Sequence, residues 1–286
     1  MINQISYLES LIRQHVDENS WQWLAEKAAL VREEKNASTL ISSFALIPRK
    51  TGSKKVEAML SAETDAETGP RKLHIQGWTT DRLSRVWLIM QVNASGKTDY
   101  IEKLGNLFSG ASMNEQVALY SALPVLAYPE EWILRCSEGI RSNIGTVLEA
   151  IMYENPYPFY FLDEAAFNQM LLKAFFTDKN VDRIIGLDQR ANPALADVLF
   201  DYAHERWAAK RTVNPQLWRL TGKYINAVNF ADIHRLWENG TEVEKKAALL
   251  VCSQSDYEPA KSLWENGGTL KRDILENGLN WHNLNG

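Results

Sequence analysis

Three sets of residues have types and spacing that could do chemistry. In the stretch ANPALADVLFDYAHERWAAKR (191–211), Asp197, Asp201 and His204 recur at i, i+4 and i+7 on one helix flank, where carboxylate and imidazole could share a ligand or a proton. Asp201-x-x-His204 also has the spacing of carboxylate-bridged metal bundles. Such a site needs a second copy with further Glu ligands, which the chain lacks, so no metal is assigned. In ENPYPFYFLDEAAFNQMLLKAFF (154–176), Glu164 falls within the apolar arc set by Phe167, Met170, Leu171, Ala174 and Phe175, with Asn168 at its edge and Lys173 opposite. A carboxylate there must find a partner, shift its pKa or turn to water at the helix start. Glu149, beside Thr146 and Tyr153, projects away from Ile144, Val147, Leu148 and Ile151, toward solvent or a cleft. None of these sets is a complete catalytic constellation, and GxSxG, HExxH and dinucleotide fingerprints are absent. GSK (52–54) and SGK (95–97) lack the glycine frame of a phosphate loop.

The elements that must position these residues are helical. WQWLAEKAALVREE, TDRLSRVWLIMQV, NEQVALYSALPVL, EEWILRCSEGI, NIGTVLEAIMYE, DEAAFNQMLLKAFF, PALADVLFDYAHERWAAKR and VEKKAALLVCS space apolar residues three and four apart, and no run alternates as a strand would. The expected fold is all-α, built of stacked antiparallel helix pairs in a solenoid, HEAT-like arrangement. Asn192-Pro193, Asn214-Pro215 and the capping box Thr241-x-x-Glu244 mark helix starts, and Asn239-Gly240 and Asn266-Gly267 mark ends. Asp163 is placed to cap the helix 164–176, and NPYP before it should run extended. On the 191–211 helix the buried face should be Leu195, Ala196, Leu199, Phe200, Ala203 and Trp207, with Arg206 partly covered and paired to a carboxylate of another helix. LWENG at 236–240 returns at 263–267, with ILENG at 274–278, which is a 27-residue echo of either a repeat or a reused helix end. Irregular chain is expected at PRKTGSKK (48–55) and SAETDAETGPRK (61–72). The whole chain, 1–286, reads as one helical domain, with room for a small N-terminal subregion at 1–70 and a repeat-like part at 229–286.

Composition narrows the function classes. With 31 basic against 36 acidic residues the net charge is −5, which provides no field to gather phosphates, so nucleic acid is a disfavoured partner. The N-terminus lacks a basic segment followed by an apolar one, and no stretch reaches the roughly 18 apolar residues of a membrane span. A cytoplasmic chain is therefore expected, which leaves the sequons at Asn36, Asn93 and Asn239 without meaning. Cys136 and Cys252, far apart and without neighbouring His, read as buried thiols. Ten Trp and ten Tyr fit a packed helical core better than a stacking platform for bases.

EGIRSNIGTVLEAIMYENPYPFYFLDEAAFNQMLLKAFF and IIGLDQRANPALADVLFDYAHERWAAKRTVNPQLWRL, with ALYSALPVLAYPEEW before them, resemble the EboA-domain family. The resemblance covers about residues 75–220 well and the two ends poorly. It implies a component of bacterial and algal plastid gene clusters that hold a TatD-like hydrolase, a UbiA-like prenyltransferase and a dehydroquinate-synthase-like protein, tied to processing or moving secondary-metabolite precursors. The partners it implies are a small-molecule precursor or proteins of the same cluster, with no cofactor. It carries no agreed catalytic residues. The family-like polar positions are Arg141, Asn143, Glu149, Asn155, Asn168, Lys173, Asp188, Arg190, Asn192, His204, Glu205 and Arg206, to which Glu164 and Asp201 are added from the residues themselves.

Three functions are then open. The first is a helical binding or scaffold protein with a polar cleft at 141–206, in which Asn155, Glu164 and Asn168 face the Arg190 to Arg206 region. The second is an enzyme in which Glu149, Glu164 or His204 is the acid or base and Arg190 or Arg206 binds an anion. The third is a HEAT-like nucleic-acid protein, which the acidic balance disfavours. The first asks least of the chemistry, and the reading leans away from an enzyme.

Overall fold

The computed structural model describes residues 2–33, 37–57 and 69–284. The sequon at Asn36 and positions 61–68 of the expected irregular stretch lie outside them. The described residues form fifteen α-helices in the order α1 (Ile2–His15), α2 (Glu18–Glu33), α3 (Ser38–Thr51), α4 (Thr80–Ile89), α5 (Lys97–Gly110), α6 (Met113–Ser121), α7 (Ile133–Arg141), α8 (Gly145–Met152), α9 (Tyr157–Phe161), α10 (Glu164–Phe176), α11 (Pro193–Ala208), α12 (Phe230–Asn239), α13 (Glu242–Cys252), α14 (Glu258–Glu265) and α15 (Gly268–Glu276). The extended contact recorded outside them is an isolated bridge between Lys55 and Thr79, so the fold is all-α. The chain divides into two compact units, Met1–Asp163 and Glu164–Gly286.

The first unit is organised around α4. Nine of its ten residues are buried, Asp81 and Arg85 included, and it packs against α1, α2, α3 and α6. A helix covered on all sides cannot leave a charge unpaired, and here Arg85 donates to Asp81 at 2.8 Å. The same guanidinium donates through Nε to the Phe44 carbonyl at 3.0 Å. The reason lies four residues after Phe44: Pro48 has no N–H to return to that carbonyl within α3. Pro48 is thus inside the last turns of α3, and the irregular chain expected from 48 starts only at Gly52. The helical run at 114–126 breaks after Ser121 into a 3-10 turn, Leu123–Val125, because Pro124 cannot continue the ladder.

The expectation for NPYP is corrected in part. Tyr157–Phe161 is helical, with Pro158 in its first turn, where a missing N–H costs nothing.

In the second unit the buried face of α11 is Leu195, Ala196, Leu199, Phe200 and Ala203, as the periodicity demands, with Trp207 half-buried. Asn192 caps that helix by accepting from Leu195 N at 2.9 Å. Asn214 likewise opens Pro215–Leu220, which is a 3-10 segment and not an α-helix. The Thr241 capping box opens α13, with Thr241 N donating to Glu244 Oε2 at 2.8 Å. α13 packs against α12, α14 and α15, and both LWENG copies terminate a helix, α12 and α14. Their glycines are not left-handed caps, since φ is −76° at Gly240 and −68° at Gly267. What they supply is space: a Cβ on Gly240 would lie 2.3 Å from the Leu236 carbonyl oxygen, and one on Gly267 would lie 2.7 Å from Leu249 Cδ2. Cys136 and Cys252 are free and buried.

Candidate functional site

In the second unit, the turn between the α10 region and α11 gathers four of the family-like residues, Asn168, Asp188, Arg190 and Asn192. Gly186 turns the chain with φ +78°. Asn192 and Asn168 then exchange both amide bonds, Asn168 Nδ2 to Asn192 Oδ1 at 3.1 Å and Asn192 Nδ2 to Asn168 Oδ1 at 2.9 Å. Arg190 lays its guanidinium 4.6 Å from the Phe167 ring centroid, a contact of the cation–π kind. Asp188 accepts from Arg219 Nε at 2.6 Å and Nη2 at 2.5 Å. Arg219 reaches Asp182 as well, at 2.7 Å, and His282 approaches the same Asp182 oxygen at 2.9 Å. Burial by itself would lower the Arg219 pKa, but its bonds to Asp188 and Asp182 outweigh that and raise it. The turn is therefore clamped by an Arg219 guanidinium held between Asp188 and Asp182.

A cavity of about 330 Å³ opens on this turn, lined by Asp188, Gln189, Ala191, Arg219, Leu220, Gly222, Lys223, Tyr224 and Gln254. Its floor is fixed because Tyr224 donates to the Ala191 carbonyl at 2.7 Å. Amide, carboxylate, ammonium and phenol groups line it, and no His, Cys or Ser does so among the described residues. Such a lining can recognise a polar molecule through several hydrogen bonds, but it offers no nucleophile with an adjacent base.

The first unit has a second polar gathering at the Glu154 turn. Glu154 adopts φ +52°, an uncommon conformation for a residue with a side chain. Beside it Lys72, His74, Arg82, Ser121, Tyr153 and Asn155 surround a cavity of about 10 Å³, roughly the room of one water. Burial, then the nearby Lys72, lowers the His74 pKa against a smaller opposing pull from Glu154. Arg82 lies 4.4 Å over the Trp78 ring and donates to Ser121 Oγ at 2.8 Å. Asn155 spends both amide hydrogens on the carbonyls of Tyr120 (3.0 Å) and Ala150 (2.9 Å) and accepts from Tyr157 N (3.0 Å), so it holds the turn.

The remaining sequence-selected residues are spread over the surface of each unit. Arg141 and Asn143 are exposed at the end of α7 and just beyond it, and Glu149 is half-buried on α8. Glu164 is exposed in the first turn of α10, the solvent-facing alternative, and Lys173 is half-buried near its end. Asp201 and Glu205 are exposed on α11. His204 bonds Asp232 of α12 at 2.8 Å on an open flank, a partner 28 residues away that spacing along α11 could not reveal. Arg206 is half-buried as expected, but its Nε donates to the Thr212 carbonyl at 2.9 Å and not to a carboxylate. Among the described residues no group of three or more His, Cys, Asp or Glu side chains could hold a metal ion.

Arg219 is the residue that periodicity missed. It is the one cation between Thr212 and Gly222 in an apolar stretch, and that isolation was the available signal.

No helix among the described residues is long and apolar enough to cross a membrane. No curated protein and no solved structure matches the chain. A family model described as metabolite traffic protein EboA matches residues 4–222, extending the likeness toward the N-terminus well beyond residue 75. That span takes in α1 through α11, the Asn155 turn and the Arg219 clamp, and with more than half its length matched the chain belongs to the EboA family.

Proposed function

We propose that this protein is a non-catalytic helical binding component of metabolite traffic, which holds a small polar precursor in the cavity on the 186–192 turn. The observation that carries the proposal is the cavity itself. Its volume of about 330 Å³ falls in the range of small-molecule sites, about 300 to 1,000 Å³, and its wall includes Asp188, Gln189 and Ala191 of the family-like turn. Anchoring of that turn by Arg219 and by the Asn168–Asn192 pair pre-organises the wall, which lowers the ordering cost of binding. The role of secondary-metabolite precursors as cargo, and of cluster-encoded proteins as partners, belongs to the same proposal.

The test is ligand capture. The protein is purified from cells that carry its neighbouring genes and then denatured, and released small molecules are identified by mass spectrometry. Ala191→Phe, which fills the cavity, is expected to lose a metabolite that the wild type retains, with its helical circular dichroism unchanged. His204→Ala, on the open flank, is expected to keep it. Equal retention by a folded Ala191→Phe variant, or a wild type that carries no metabolite, would overturn the assignment.

A further inference from the structure

The groove between α12 and α14 is lined by Phe230, His234 and Trp237 from α12 and by Pro259 and Leu263 from α14, with Glu238 and Glu258 at its polar positions. Its volume is about 530 Å³, and it lies wholly beyond the residues that match the family. No Lys or Arg lines it among the described residues. Of the nearby bases, Arg235 sits 4.3 Å over the Trp207 ring and Lys261 pairs with Asp256 at 3.7 Å, while the His234 imidazole lines the groove itself, 3.9 Å from Glu238.

The repeated pentapeptide shows what such a wall binds. In the second LWENG copy, Trp264 and Glu265 together hold the Lys271 ammonium, 5.1 Å from the ring centroid and 2.5 Å from the carboxylate. In the first copy, Trp237 and Glu238 present the same adjacent ring and carboxylate to the groove. The position 27 residues before Lys271 is Glu244, committed to the Thr241 capping box. The first copy therefore has the cation-binding pair without a lysine of its own.

We propose that this groove binds a small amphipathic organic cation, an ammonium head on an apolar body. The head would be held by Trp237 with Glu238, and the body would lie along Leu263 toward Phe230, the end of the groove where Tyr257 packs and Glu258 begins α14. An anion would meet the Glu238 carboxylate, whose neighbour in the groove is the His234 imidazole at 3.9 Å, whereas an ammonium gains from the Trp237 ring face and from that carboxylate together. The edge-on packing of Tyr257 against Phe230, 5.6 Å between centroids, fixes the apolar wall. This site is separate from the 186–192 cavity and does not depend on its assignment.

The probe is phenethylammonium, with phenylacetate as its charge-reversed counterpart. Binding is read from the Trp237 indole N–H resonance, which Trp237→Phe assigns by its disappearance. Phenethylammonium is expected to shift that resonance saturably, phenylacetate to leave it unmoved, and Glu238→Gln to weaken binding about tenfold. Glu258→Gln, at an exposed position at the Phe230 end of the groove, is expected to change binding less than Glu238→Gln, and an equal or larger loss would overturn the placement of the head. Equal shifts by both probes, or no saturable shift by about 10 mM ammonium, would overturn the proposal.

Discussion

Arg85 shows how one residue can be forced by another that is distant in sequence. Pro48 orphans the Phe44 carbonyl, and a buried carbonyl without a donor is costly. Arg85 supplies the donor while pairing with Asp81. Arg85→Met should destabilise the protein by about 3–5 kcal/mol, because Asp81 is then left buried and uncompensated. Adding Pro48→Ala to that variant should restore about 1 kcal/mol by giving Phe44 its own N–H. Denaturant midpoints of the two single variants and the double variant test this. An unchanged midpoint for Arg85→Met would contradict the argument. The Asn168–Asn192 exchange follows the same logic at the candidate site, since two amides selected as ligand-binding candidates satisfy each other and thereby shape the turn.

At the scale of elements, the α12–α13 junction combines a tight exit with a capped entry in consecutive residues. Gly240 clears the Leu236 carbonyl, and Thr241 caps the next helix. Thr241→Ala should cost about 1 kcal/mol, the usual value of a lost N-cap. Gly240→Ala should cost more, about 1–3 kcal/mol, because backbone and not a flexible side chain stands in the way of the new methyl group. Thermal melts that rank the two in the opposite order would show that the cap, and not the close approach, holds the junction. The 27-residue spacing places the same requirement at Gly267, but there it is the Leu249 side chain that occupies the space.

For the whole molecule, the division at Asp163 and Glu164 gives each unit its own buried aromatic core, with Trp87, Trp132 and Phe44 in the first and Trp218, Phe167 and Phe175 in the second. A fragment of residues 164–286 should accordingly show helical circular dichroism and a cooperative melt by itself, since large aromatics dominate core energetics. A fragment that melts without a transition would mean that its core is incomplete. The candidate cavity and the α12–α14 groove both lie in this unit, so binding of either ligand should raise the fragment's melting temperature by mass action.

The sequence by itself determined the all-α class, because helical spacing of apolar residues is local and survives without knowledge of neighbours. It also determined the Asn192 and Thr241 caps, which depend on three or four consecutive residues, and the family, through long motifs between residues 75 and 220. What only the tertiary structure decided were the pairings between distant segments: Arg219 with Asp188 and Asp182, His204 with Asp232, and Asn168 with Asn192. A carboxylate or amide selects its partner by proximity in the folded chain, and spacing along one helix carries no record of which other helix comes to lie beside it. The LWENG echo falls between these cases, for the 27-residue return of the pentapeptide was legible, as either a repeat or a reused helix end, while the lysine that fills one copy and is missing from the other could be seen only once the helices were in place.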